Sequence, residues 1–357
     1  MRPSGFVFAD FDDDGIDDLA ESTRRTMNLS PFARINILAG DPAVGLSLAA
    51  TLQVGDPAQR GGVEQDSMHG QDFDGDGRID LAFIEEPTFG FGFQSHLRIW
   101  LSQGGANFTE SFDHAFDPNT HVESVAGEFT GDGVPDVITH DEDGLRLWAG
   151  IGGGLLAMPL PPVPPVDVTA VVPQHFDGDG ITDLYVVSPA GPMIMLGQPG
   201  GTFLDIAPPA CAGALRSGTD IDEDGFADLT CRAGDTLETH FGLGDGTFEP
   251  PMVTVFPPGT LPITTPRTHG DFDGDGVLDL VWVESGGFQI TNAYVLRGLG
   301  DGTYALPQLL VQDTGVFDHW QQGAHGYDVN GDGVTDLLIP HATVINSYSM
   351  RMFLSDP

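Results

Sequence analysis

Lysine is absent from the 357 residues, and all 13 basic residues are arginines. That absence excludes Schiff-base chemistry and a lysine general base. So few cations also exclude nucleic acid as a partner, because phosphate contacts need basic clusters. No stretch of 18 or more apolar residues appears, which excludes a helical membrane span and membrane insertion by that route. The two cysteines, Cys211 and Cys231, have neither metal-ligand nor redox-motif spacing. Convincing helical periodicity is missing, and no serine sits in a Gly-x-Ser-x-Gly elbow. Met1-Arg2-Pro3-Ser4 runs straight into the first repeat without a signal peptide, so the chain is expected to be cytosolic as written, or trimmed from something longer.

Glycine, proline and acid are what the chain has in excess. With 49 glycines, 27 prolines and 40% apolar residues, it is expected to be globular and rich in turns. The formal net charge of -40 is concentrated in one motif. Seven times the chain writes Asp-x-Asp-x-Asp-Gly-x-x-Asp-Leu or a near copy, beginning at Asp10, Asp72, Glu128, His175, Asp220, Asp271 and Asp328. These copies hold nearly half of the 53 acidic residues and recur every 45 to 62 residues, which signals a repeat architecture.

The spacing is a calcium-ligand pattern. Acids at the first, third and fifth positions converge on one centre only if the loop curls, and glycine at the sixth permits the turn. The closing acid comes at the ninth position, so the loop is shorter than an EF-hand's and need not be flanked by helices. Oxygen-only ligands favour Ca²⁺ over Zn²⁺. Four loops carry a full set: Asp10, Asp12, Asp14 and Asp18; Asp72, Asp74, Asp76 and Asp80; Asp220, Asp222, Asp224 and Asp228; Asp271, Asp273, Asp275 and Asp279. A fifth has Asp328, Asn330, Asp332 and Asp336, the asparagine still offering an oxygen. Two are degraded. Thr130 interrupts Glu128, Asp132 and Asp136, and His175 opens the loop of Asp177, Asp179 and Asp183. Five to seven structural Ca²⁺ ions are therefore expected, the alternative being hairpin turns that are merely solvated.

Short apolar runs follow the closing acids, among them Leu81-Ala82-Phe83-Ile84, Leu184-Tyr185-Val186-Val187 and Leu280-Val281-Trp282-Val283. These have strand length and composition. Gly-containing stretches such as Val125-Ala126-Gly127 and His269-Gly270 precede the loops, which therefore join two strands of a hairpin. A further strand, such as His96–Leu101 or Leu145–Trp148, leads to a second turn, as in Gly244-Asp245-Gly246-Thr247-Phe248 and Gly300-Asp301-Gly302-Thr303-Tyr304. Four strands per unit give small antiparallel sheets in a ring, a β-propeller.

These units resemble FG-GAP or VCBS repeats, the type found in the integrin α-subunit propeller and in many secreted bacterial proteins. The Asp loop resembles that family's calcium loop between its first two strands, and Gly-Asp-Gly-Thr-Phe resembles its turn between the third and fourth. The expectation is one all-β domain over 1–357, a seven-bladed propeller with four-stranded antiparallel blades near 1–62, 63–118, 119–165, 166–211, 212–261, 262–317 and 318–357. The last blade, running through about Leu354, lacks room for a fourth strand, so six complete blades and a three-stranded seventh are expected.

Other candidates carry less. His69, His269 and His325 lie just before loops, either as a cluster or as packed histidines. Trp100 and Trp148 occupy equivalent repeat positions and suit packing between blades better than sugar stacking, while Trp282 and Trp320 carry neither reading further. Pro159–Pro165 reads as a connector between blades or a polyproline ligand. Cys211 and Cys231 flank the fifth loop, either bridged or free. The resemblance implies a non-enzymatic, secreted or cell-surface module that binds a protein or glycan, monomeric or part of a larger polypeptide. A scaffold segment and a polysaccharide lyase or hydrolase are the alternatives, since fold does not choose among them.

Overall fold

The computed structural model describes residues 2–24, 33–41, 46–54, 61–87, 94–118, 120–161, 163–165, 167–211, 214–217, 219–261, 266–285, 290–312, 325–344, 347–353 and 355. Every regular element among them is a β-strand. The protein is an all-β propeller of small antiparallel sheets, each a meander of sequence neighbours joined by hairpins. Two compact units divide it, Met1–Pro173 with Gly180–Ile206, and Gln174–Asp179 with Ala207–Pro357.

The first unit carries four sheets, apart from Gln174 at the end of β12. The first is β1 (Arg2–Ala9), β2 (Asp18–Arg24), β3 (Ala33–Ala39) and β4 (Ser47–Val54). The second is β5 (Gly61–Gln71), β6 (Asp80–Pro87), β7 (His96–Ser102) and β8 (Phe108–Ala115). Next come β9 (Glu123–Gly127), β10 (Asp136–Asp141) and β11 (Gly144–Trp148), then β12 (Ala170–Gln174), β13 (Asp183–Ser188), β14 (Gly191–Gln198) and β15 (Thr202–Ile206). In the second unit β16 (Ala214–Ser217), β17 (Leu229–Ala233), β18 (Thr236–His240) and β19 (Met252–Val255) form one sheet. Another is β20 (Pro266–Gly270), β21 (Asp279–Ser285), β22 (Ile290–Leu296) and β23 (Gln308–Gln312). The last has β24 (His325–Tyr327), β25 (Asp336–Val344) and β26 (Ser347–Phe353).

The apolar runs are continuous, not alternating, because both faces of the second strand are covered. Leu81 and Phe83 of β6 pack with Val7, Ala20, Ile35 and Ile37 of the first sheet. Ala82 and Ile84, pointing the other way, pack with Val137 and Trp148 of the third. Val125, Ile138 and Leu147 then meet Leu184, Val186 and Met195 of the fourth. In the second unit Leu237 and Phe256 meet Leu280, Trp282 and Leu296 in the same fashion. Burying such side chains contributes about 1.5–3 kcal/mol each.

The expectation of six complete blades is corrected: among the described residues five sheets have four strands and two have three. The third sheet is the unexpected short one. Leu145 and Val163 exchange backbone hydrogen bonds of 3.0 and 2.8 Å, and Leu160 N–H reaches Leu147 O at 3.0 Å, yet no fourth strand forms among the described residues. Pro159, Pro161, Pro164 and Pro165 offer no N–H, so the ladder cannot continue. The proline-rich segment is thus an interrupted edge. The final sheet has three strands among the described residues, as expected.

Candidate metal centres

The loop from Asp72 to Asp80 shows how the motif builds itself. Oδ1 of Asp72 accepts the N–H groups of Gly75 (2.8 Å) and Asp76 (3.1 Å), and Oδ2 accepts that of Gly77 (2.8 Å). Gly75 and Gly77 hold φ near 80° and 89°, which glycine adopts without strain. Asp10, Asp220, Asp271 and Asp328 curl their loops with the same kind of bonds. The fifth-position carboxylate also serves the backbone. Asp76 Oδ1 accepts Arg78 N–H at 2.9 Å, and Asp14, Asp132, Asp224, Asp275 and Asp332 do likewise two residues on.

The ninth-position aspartates are the most buried part of the motif. Asp18, Asp80, Asp136, Asp183, Asp228, Asp279 and Asp336 are at most 1% exposed. In the second loop Oδ2 of Asp80 accepts Phe73 N–H at 2.9 Å, and Oδ1 accepts Ser102 N–H at 2.7 Å. Asp136 repeats this with Phe129 and Gly150, both at 2.7 Å, and Asp228 with Ile221 (2.6 Å) and Gly242 (2.8 Å). Asp18, Asp279 and Asp336 make the same pair of bonds. Asp183 accepts from Gly197 at 2.7 Å. One carboxylate therefore pins the loop to the end of the third strand of its sheet. Burial raises the carboxyls of Asp80, Asp136 and Asp279 to about 6 and that of Asp228 to about 7, with the backbone bonds pulling the other way.

First, third and ninth positions come together at four loops. In Asp10, Asp12 and Asp18, in Asp72, Asp74 and Asp80, in Asp220, Asp222 and Asp228, and in Asp271, Asp273 and Asp279, one oxygen from each lies within 4.8 Å of the others. These groups fit a hard dication such as calcium, since every donor is a carboxylate oxygen. Oδ1 of Asp12 is buried without a hydrogen-bond partner. Burial, then the carboxylates of Asp14 and Asp10, raise the Asp12 carboxyl, and burial followed by Asp224 does so for Asp222. A bound cation would relieve that repulsion.

The remaining loops differ. At the third, Glu128 Oε1 takes the N–H groups of Thr130, Gly131 and Asp132 and the Thr130 hydroxyl, so the loop is satisfied by itself. At the seventh, Asn330 donates from Nδ2 to Asp332 Oδ2 at 2.9 Å and accepts Asp332 N–H at 3.0 Å. Within the fourth, Asp177 Oδ1 accepts Asp179 N–H at 3.2 Å. At the sixth, Arg297 Nε lies 2.8 Å from Asp273 Oδ2, a built-in cation beside the acids.

Backbone bonds link one loop to the next sheet. Thr182 N–H donates to Glu128 O at 2.6 Å, and Thr335 N–H to Asp271 O at 2.7 Å. The glycine before each of these two loops permits the approach: a Cβ on Gly127 would sit 2.9 Å from Thr182 Cγ2, and one on Gly270 2.5 Å from Thr335 Cγ2.

His69 and His269 do not assemble a centre among the described residues. His69 Nε2 donates to Ser124 O at 2.8 Å, and burial lowers its pKa to about 4. His269 is lowered to about 4 by burial alone. The His325 side chain, Trp320 and Leu354 lie outside the described residues. Trp148 is packing: it is buried, donates to Thr139 Oγ1 at 2.9 Å, and meets His114 and Phe116 at 4.5 and 5.8 Å. Trp100 packs on Phe83 at 5.2 Å, and Trp282 is buried beneath Arg232. Cys211 and Cys231 are bridged, their Cα atoms 6.1 Å apart, fastening the segment before β16 to β17.

Sequence reasoning missed two things. Burial of the closing aspartates has no signal beyond the apolar residue that follows each. The second is a group formed by Glu64, Glu86 and His121, whose closest atoms lie within 4.8 Å although they are up to 57 residues apart.

A family model described as an FG-GAP-like repeat matches residues 72–139, 220–282 and 271–339, more than half of the chain. No curated protein matches it. The fold is similar to that of an Agrocybe aegerita lectin described as recognising non-reducing terminal N-acetylglucosamine. The TM-score is 0.61 at 17% identity, over 88% of this chain and 81% of that one. It is also similar to BBS1N, solved in complex with ARL6DN, with a TM-score of 0.55 at 11% identity over 99% of this chain and 92% of that one. At such identities the likeness is one of fold.

Proposed function

The chain belongs to the FG-GAP-like repeat family, and from that premise we propose that it is a non-enzymatic, extracellular glycan-binding propeller stabilised by calcium in its aspartate loops. The observation that carries the glycan reading is the propeller fold shared with the Agrocybe aegerita lectin over 88% of the chain. The absence of lysine and the charge of -40 favour a neutral glycan over an acidic one. The Cys211–Cys231 bridge supports an oxidising compartment, where calcium is also plentiful enough to fill loops of modest affinity. Calcium acts here on the framework: the loop's own side chains occupy the cation, whereas metal catalysis needs an open position. All four-carboxylate loops, Asp10 to Asp18, Asp72 to Asp80, Asp220 to Asp228 and Asp271 to Asp279, are assigned to it.

A glycan array probed with the protein in calcium and again in EGTA tests this reading. Binding to neutral glycans in calcium, weakened in EGTA, is the expected result. No glycan above background, from protein shown to be folded, would sink it. A protein ligand is the second reading, favoured by the likeness to BBS1N in its complex with ARL6DN.

A further inference from the structure

We propose that Glu64, Glu86 and His121 form a binding site for a dication of the zinc class, separate from the aspartate loops. The residues lie at the ends of β5, β6 and β9 remote from their loops. Gln71 pairs with Asp80 where the second loop begins and ends, whereas Gly62 pairs with Glu86 at the far end of the same hairpin. Glu123 is the first residue of β9, paired with His140, and His121 precedes it by two in the segment that enters the strand.

Three donors converge, and Glu123 stands behind them. His121 Nδ1 lies 2.6 Å from Glu86 Oε1, while its opposite nitrogen, Nε2, lies 3.3 Å from Glu123 Oε1, so Glu123 orients the imidazole and does not join the ion. Glu64, Glu86 and His121 each bring one atom within 4.8 Å of the others. Ligands about 2.0–2.2 Å from one zinc ion are separated by no more than that spread. The donors differ in kind from those of the loops, because an imidazole nitrogen joins the carboxylates. Imidazole with carboxylate selects zinc, cobalt or manganese, while all-oxygen loops suit calcium.

The surroundings hold the donors in place. Glu64 is 6% exposed, so its carboxylate is fixed by packing. His140 is 5% exposed, with Nε2 3.4 Å from Glu123 Oε2, and is a positioning residue that orients Glu123. The adjacent Arg98 is engaged on the other face of β6, its Nε 2.7 Å from Glu85 Oε2. His121 itself is 64% exposed in its side chain, which leaves the ion an open approach.

Cobalt titration of the whole protein, in saturating calcium so that the aspartate loops are filled, tests the site. The expected result is one saturable visible absorption band that zinc abolishes and further calcium does not. H121A should weaken cobalt binding at least tenfold while leaving the melting temperature in calcium unchanged. E86Q is the second arm, expected to weaken binding without removing the imidazole. Absence of a saturable band, competition by calcium, or equal affinity in wild type and both variants would overturn the proposal and leave an imidazolium paired with carboxylates.

Discussion

The second and third loops sit in neighbouring sheets of one unit and differ at two ligand positions, the first and the third. Asp72, Asp74 and Asp80 bring three oxygens together, while Thr130 stands where the third loop needs its middle acid, and Glu128 is used up on its own backbone. Yet Asp80 and Asp136 are pinned alike, by two backbone N–H groups each at 2.7–2.9 Å. The motif therefore combines two separable devices. Its last residue is framework that works in every loop, and its first and third residues gather carboxylates beside it at four loops where both are acids.

Chelation gives the largest test of that separation. Each loop filled at a hundredfold excess over its Kd adds about 2.7 kcal/mol. Melting should therefore fall steeply when EGTA replaces calcium, and D74A should remove one loop's share while T130A removes none. An unchanged melting curve in EGTA would break the cation half of the comparison.

Truncating the closing residue comes next. D80A and D136A each strand two buried N–H groups, and each should cost about 3 kcal/mol by denaturant unfolding in EGTA. In calcium, D80A should lose more than D136A. Equal losses in both conditions would show that the second loop holds no ion.

Restoring the missing acid is a smaller effect. T130D should gain calcium-dependent stabilisation of about 1–2 kcal/mol, within the one-site value above. A gain that persists in EGTA would point to helpful hydrogen bonding alone.

The smallest effect is on pH dependence. Burial holds the Asp80 and Asp136 carboxyls near 6, above the ordinary 3.8, so the folded state keeps a proton that the unfolded state has released. Stability from this source is present below pH 4 and is lost as pH rises through 6. Calcium should abolish the contribution of Asp80 by favouring its ionised form and leave that of Asp136. Melting temperature against pH for D80N and D136N, with and without calcium, reads the difference.

Much of the framework was legible because the signals are local. Leu81-Ala82-Phe83-Ile84 became a strand covered on both faces, and the Gly-Asp-Gly-Thr-Phe turn fell between third and fourth strands. What stayed hidden was a contact: Pro159–Pro165 connects two sheets as its sequence suggests, and only its bonds to Leu145 and Leu147 reveal that it also lines the edge of the third.

By itself the sequence determined the repeat, the hairpin loops and the placing of carboxylates at fixed spacing, since turn chemistry and strand periodicity act over a few residues. Only the tertiary structure decided that the closing aspartates are buried pins, that Cys211 meets Cys231, and that Glu64, Glu86 and His121 converge. Those features depend on which strand end lies beside which, and that is set when neighbouring sheets bury their faces against one another.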